Sequence, residues 1–230
     1  RLTAEVEVTR RLQKMLLPKI QELSQIRELD IAGFMEAADE VGGDYYDVLS
    51  HNGRVKIGIG DVTGHGLESG VVMLMAQTAI RTLLTHNETN AVNFLNTLNR
   101  VIYDNVERMN CDKNLTLALI DYKDGTLQLS GQHEKIIVVR SNNQIELVDT
   151  KELGFPIGLD EDIADFISQT QIELSLGDGI VLYTDGITEA QNSERVQYGL
   201  ARLCQIASLN WQRSATEIQQ AIVTDVRHHI

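Results

Sequence analysis

The chain has 230 residues, 43% of them apolar, enough for a sizeable core in one large domain or two small ones. Its formal net charge is −13, from 33 acidic and 20 basic residues, and such a surface repels phosphate backbones and argues against a nucleic-acid partner. No run approaches the roughly 20 consecutive apolar residues of a membrane span, no basic-then-apolar signal opens the chain, and Arg in first place marks a piece of a longer protein, so a cytoplasmic regulatory domain without membrane contact is expected.

Residues 1–17 read as a helix, with Val8, Leu12, Met15 and Leu16 on one apolar stripe and Arg10, Arg11, Gln13 and Lys14 on the other side. Pro18 ends it, because the residue before proline is pushed out of the helical region. Residues 1–20 are therefore set apart as a linker or regulatory helix, and 21–230 as the main domain. Each side chain of the stripe gains roughly 1.5–3 kcal/mol on burial. It is expected to dock either on the chain's own core or on the same helix of a second copy, giving a homodimer.

Next come the apolar Ile31–Met35 and the glycine-rich EVGGDYYD of Glu40–Asp47. The strand-like Val55–Ile59 runs into Gly60-Asp61-Val62-Thr63-Gly64-His65-Gly66. A helix is expected from Leu67, with Val71, Leu74, Met75, Thr78 and Ala79 in helical period, and another over 91–109, capped by Thr89 or Asn90, with Val92, Leu95, Leu98, Ile102, Val106 and Met109 on one side. Residues 115–149 read as antiparallel strands: Leu115–Asp121 and Thr126–Ser130 around the turn Lys123-Asp124-Gly125, then Lys135–Arg140 and Gln144–Val148. Phe166–Leu174 and Gly179–Thr184 are two more, and a helix near 214–229 opens on a Ser214/Glu217 capping box. The order lacks regular βαβ alternation and indicates an α+β architecture. Cys111 and Cys204 have no paired or metal-ligand spacing and read as structural thiols.

Three aspartates share a setting. Asp44 follows two glycines, Asp61 follows a buried-looking strand, and Asp185 follows Ile180–Thr184 and precedes Gly186. A carboxylate beside glycine sits where backbones approach closely. Converging carboxylates repel unless a cation lies between them, and oxygen-only ligands select Mg²⁺ or Mn²⁺ over Zn²⁺. Taken singly, an Asp-Gly after a strand, as at Asp185-Gly186, is also a common turn. A dinucleotide-binding reading of Gly58–Thr63 fails, because Thr63 occupies the third glycine position and Asp61 would face the pyrophosphate. A calcium-binding structural domain lacks its dense acidic loop.

At these residues the sequence resembles the metal-dependent protein phosphatase (PPM) family, in its bacterial SpoIIE/RsbU-type branch. The matching stretches are LLPKI (16–20), EVGGDYYDVL (40–49), GDVTGHGLESGVVM (60–73), SGQHEKIIV (130–138), GFPIGL (154–159) and LYTDGITEA (182–190), in the family's order. The resemblance implies a sandwich of two antiparallel β-sheets flanked by α-helices. It implies two divalent cations, Mn²⁺ or Mg²⁺. Asp61 would bridge them, Asp44 and the backbone carbonyl of Val62 would serve one, and Asp185 the other. The implied reaction is hydrolysis of phosphoserine or phosphothreonine on a regulatory protein, such as an anti-sigma-factor antagonist. The alternative is a non-catalytic signalling module of the same fold. His65 could assist leaving-group protonation, whereas His133 is expected to order a strand turn. The family pattern closes on an Asp-Asp strand, but this sequence ends at His228-His229-Ile230, with Asp225 inside a helical pattern. One ligand of the Asp185 position is therefore expected to be missing.

Overall fold

The computed structural model of the chain describes residues 2–36 and 42–230. Glu40 and Val41, which begin the glycine-rich motif, lie outside the described residues. In chain order the elements are helices α1 (Leu2–Leu16) and α2 (Ile20–Ser24), strands β1 (Gly42–His51) and β2 (Arg54–His65), helices α3 (Leu67–Thr85) and α4 (Ala91–Met109), strands β3 (Leu115–Lys123), β4 (Thr126–Ser130), β5 (Ile136–Val139), β6 (Ile145–Val148), β7 (Gln169–Glu173) and β8 (Gly179–Val181), and helices α5 (Asp185–Thr188), α6 (Leu200–Leu209) and α7 (Ala215–His229). They fall into two compact units, the first from the described residues of 1–18, 36–133 and 150–172, the second from 19–35, 134–149 and 173–230.

The first unit carries a sheet in the order β1-β2-β3-β4-β7. Two tight hairpins set its register. Asn52-Gly53 joins β1 to β2 and Asp124-Gly125 joins β3 to β4, all four residues at positive φ. This two-residue turn matches the right-handed twist of the strands, and Asn-Gly and Asp-Gly tolerate it best. On one face of the sheet Tyr45, Leu49, Val62, Leu115, Leu117 and Leu119 pack in a core with Val72, Ala76 and Ile80 of α3 and Phe94, Leu98 and Ile102 of α4. Asn90 caps α4 by accepting from the backbone N–H of Asn93. One ion pair is drawn into this layer: Lys56 Nζ donates to Asp121 at 2.8 Å and lies 4.2 Å from the Phe94 ring centre.

Two helix faces differ from the sequence expectation. In α3 the buried residues are Val72, Met73, Ala76, Ile80 and Leu84. Of the expected face, Met75 and Ala79 pack at the margin of the core, and with Leu74 and Thr78 they line a groove of about 480 Å³ shared with Thr97, Val101 and Asn105 of α4. The helix is apolar on nearly all sides, so periodicity cannot choose a face. In α1 the buried residues are Thr9 and Gln13; of the expected stripe Leu12 is half-buried and Leu16 packs against the core, while Val8 and Met15 are 49% and 69% exposed. Thr9 packs where α1 crosses α3, because only Gly70 leaves room: a Cβ there would lie 2.8 Å from Thr9 Cγ2. Ile31–Met35 forms no strand.

The second unit carries a smaller sheet in the order β6-β5-β8, antiparallel at both pairings. Its core joins Ile137 and Val139 to Leu203 and Ala207 of α6 and to Ile218, Ile222 and Val226 of α7. The Ser214/Glu217 capping box opens α7 as expected. Helices α2, α5 and α6 carried no assigned periodic signal. β8 stops at Val181, short of the expected Thr184. Both cysteines are free thiols. Among the described residues no helix is long and apolar enough to cross a membrane.

Asp225 belongs to this packing. Arg202 grips its carboxylate with two nitrogens at 2.8 and 3.0 Å, and the Tyr198 hydroxyl donates to it at 2.7 Å. His229 stacks edge-on against Tyr198 and meets the Val196 carbonyl at 2.8 Å. The Arg202 hydrogen bonds hold the Asp225 carboxyl below its usual range, and the Tyr198 hydrogen bond acts in the same direction. A depressed folded-state pKa gives stability that is present above the unfolded value and is lost as pH falls through the folded one. Asp225→Asn should therefore lower stability by about 1 kcal/mol at neutral pH. Urea titrations should show the gap to wild type closing below about pH 4, the unperturbed aspartate range.

Candidate functional site

The β1–β2 hairpin builds the site. Its register places Asp44 directly opposite Asp61, and β2 in turn places Asp61 opposite Thr116 of β3. Directly opposed residues share a face, with Cβ atoms about 4.5–5.5 Å apart. Tyr45 and Leu49 point toward α3 and α4, so Asp44, Asp61 and Thr116 form a row on the other face. Both aspartates are half-buried and lie within their strands, and β2, expected to end before Asp61, runs on to His65. Like charges directly opposite each other destabilise a sheet.

Glycine beside each aspartate allows this approach. A Cβ on Gly43 would stand 2.4 Å from both Cβ and the carbonyl oxygen of Val62, and one on Gly60 would stand 2.2 Å from the Thr116 carbonyl oxygen. The ladder shifts register between Gly42 and Gly43, so β1 closes onto β2 where Val62 lies. The Val62 side chain is fully buried, which fixes its carbonyl. His65 ends β2 opposite Gly42 and is exposed, between Gly64 and Gly66, both at positive φ.

Two supports were not apparent from polarity patterns. Gln13, on the side of α1 expected to be polar, is buried, and its Nε2 donates to the Gly42 carbonyl at 2.7 Å and more distantly to that of Asp44 at 3.5 Å. Thr116 is held from the far end of the row: its Oγ1 lies 2.9 Å from His133 Nδ1. The His133 backbone is tied to the Thr150 hydroxyl through both its N–H and its carbonyl. His133 thus orders a turn, as expected, and also buttresses the carboxylate row.

Asp44, Asp61, Val62 and His65 belong to the first unit, and Asp185 belongs to the second. There Asp185 opens the short helix α5. Glu134 of the same unit has its carboxyl held above the usual range, first by burial and then by the charges of Asp185 and Glu189. Among the described residues, neither unit gathers three or more His, Cys, Asp or Glu side chains into a group able to hold a metal ion. The first unit nevertheless offers two carboxylates and a fixed carbonyl, a hard oxygen set that suits Mg²⁺ or Mn²⁺, cations that keep several of their waters. The residues therefore fit such an ion.

Gly43→Ala should reveal how tightly the carboxylate pair is built. The methyl group must push β1 off Val62, and overpacking of this kind costs about 1–3 kcal/mol. Thermal or urea unfolding should show that loss, whereas Gly42→Ala, whose Cβ would meet nothing within 4 Å, should unfold nearly as wild type.

This fold and the acidic row define a domain of the PPM phosphatase class. Residues 51–230 match the family described as stage II sporulation protein E (SpoIIE), and the chain belongs to that family. It is 27% identical over 194 residues to phosphoserine phosphatase RsbU of Bacillus subtilis (strain 168), covering 83% of this chain and 55% of that protein. It is 25% identical over 254 residues to protein IcfG of Synechocystis sp., covering 98% of this chain and 39% of that one. The chain thus spans about half or less of each of these relatives. Among solved structures it resembles the SiaA-PP2C domain of Pseudomonas aeruginosa, with a TM-score of 0.79 at 16% identity over 99% of this chain and 89% of that one, a likeness of fold.

Proposed function

We propose that this domain hydrolyses phosphoserine or phosphothreonine on a regulatory protein, using two Mn²⁺ or Mg²⁺ ions. The observation that carries the reading is the register pairing of Asp44 with Asp61 in a chain of the SpoIIE family. Asp44, Asp61 and the Val62 carbonyl would serve as metal ligands of the first unit, and Asp185 would be a metal ligand of the second. When bound, such ions supply an acidified water and neutralise phosphoryl charge. The protein's own part is to hold the carboxylates in a rigid ladder, which Gln13 and the Thr116–His133 pair brace from two sides. His65, exposed between two glycines at positive φ, would exchange a proton with the leaving group. The similarity to RsbU supports phosphoserine as the ester, and an anti-sigma-factor antagonist is the kind of partner proposed.

The test is phosphate release from a phosphoserine peptide with and without Mn²⁺. Wild type should be active only with the metal. Asp61→Asn, which keeps the shape and removes the charge, should lose about 10²–10³-fold in kcat while remaining folded, a loss comparable to removing a principal electrostatic group. A folded wild-type chain that binds the peptide without turnover would instead identify the non-catalytic module.

The exposed Val8 and Met15 favour docking of α1 on a second copy as the regulatory association. Wild type should then sediment as a dimer and Met15→Glu as a folded monomer. A monomeric wild type at high concentration would refute the association.

A further inference from the structure

Beyond β2 the chain carries a cation that no part of the proposed mechanism uses. Lys113 lies in the short connection between α4 and β3 and is half-buried. A reciprocal latch places this connection: the Thr63 N–H donates to the Asn114 carbonyl at 2.9 Å, and the Asn114 N–H donates to Thr63 Oγ1 at 3.1 Å. The residue before Asn114 is thereby held over the end of β2. Lys113 Nζ comes to rest over Gly64, 2.5 Å from where a Cβ would stand, and the next nearest atom is its own Cε at 3.9 Å. A Cβ at Gly64 would displace the ammonium, and φ at Gly64 is +74°, a conformation that favours glycine.

Among the described residues this ammonium has no hydrogen bond and no ion pair. That is unusual in a chain of net charge −13, where acidic partners outnumber basic ones. Gly64 is three residues past Asp61, so the two Cα atoms are at most about 11 Å apart. A half-buried ammonium with no partner among the described residues therefore stands at the end of the strand that carries Asp61. An ammonium is a compact point charge with three donors, suited to phosphate oxygens.

We propose that Lys113 is the phosphate-binding residue of this domain, donating to the phosphoryl oxygens of the phosphoserine substrate beside the Asp44–Asp61 row. This deepens the phosphatase reading and rests on it. The role is one of substrate binding. Removing the ammonium should therefore raise KM more than it lowers kcat, and arginine should restore most of the loss.

The experiment compares wild type, Lys113→Met and Lys113→Arg in the full 230-residue chain, with circular dichroism to establish folding. Two measurements are made with Mn²⁺ present: hydrolysis of a phosphoserine peptide, and calorimetric binding of inorganic phosphate. Mn²⁺ affinity is measured separately. Lys113→Met should raise both KM and the phosphate Kd about tenfold, the worth of one charge-assisted hydrogen bond, with Mn²⁺ affinity unchanged and Lys113→Arg near wild type. If wild type hydrolyses the peptide and Lys113→Met keeps its KM and phosphate Kd, the assignment of Lys113 is wrong and the phosphatase reading stands. Tighter Mn²⁺ binding by Lys113→Met with unchanged phosphate binding would overturn it too, making Lys113 only a counter-charge to the aspartates. If phosphate binding depends on Lys113 but no variant hydrolyses the peptide, the anion site stands and the phosphatase reading falls. If wild type neither binds phosphate nor turns over, both fall.

Discussion

Two carboxylates facing each other across a β-ladder are an electrostatic cost that a stable sheet avoids, and this fold is arranged around one. Asp44 and Asp61 are directly opposed on adjacent strands. The twin Asn-Gly and Asp-Gly turns fix a register that cannot slip by one residue without moving Tyr45 and Leu49 out of the helical core. The hydrophobic layer under the sheet therefore holds the two charges together. A divalent cation bound there would relieve the repulsion, and the hard oxygen donors of the row suit such an ion.

The surrounding residues are explained by the same constraint. Gly43 and Gly60 carry no side chain because the strands close in on Val62 and Thr116 at those points. Gln13 ties the strand bearing Asp44 to α1 through the Gly42 carbonyl. His133 secures Thr116, the third member of the row, from a segment latched to Thr150. Helix α1 thus touches the backbone beside a proposed metal ligand through one buried amide, a physical route by which its position could bear on the site.

The legible parts of the molecule were those with local signals. Asn90, the Ser214/Glu217 box and the Asp124-Gly125 turn are short-range hydrogen-bond and backbone preferences, and each is seen in its expected place. The three aspartates stood out because glycine and apolar runs flank them, and the likeness to SpoIIE/RsbU-type domains gave them order. What could not be read was direction. Helix α3 is apolar on nearly every side, so its buried face depends on where the sheet lies. In α1 an apolar stripe suggested one face, but the close crossing at Gly70 and the demand of the Gly42 carbonyl turned Thr9 and Gln13 inward. Lys113 was equally invisible, since an isolated lysine in a loop has no pattern until Thr63 and Asn114 bring it over Gly64.

The most direct test of the central constraint is the melting temperature of wild type and Asp44→Asn, each with and without Mn²⁺. If the opposed carboxylates cost stability until a cation joins them, Asp44→Asn melts higher than wild type without metal. Mn²⁺ then raises the wild-type melting temperature strongly and the variant's little. A variant that melts lower without metal, or one that Mn²⁺ stabilises as much as wild type, would contradict the account.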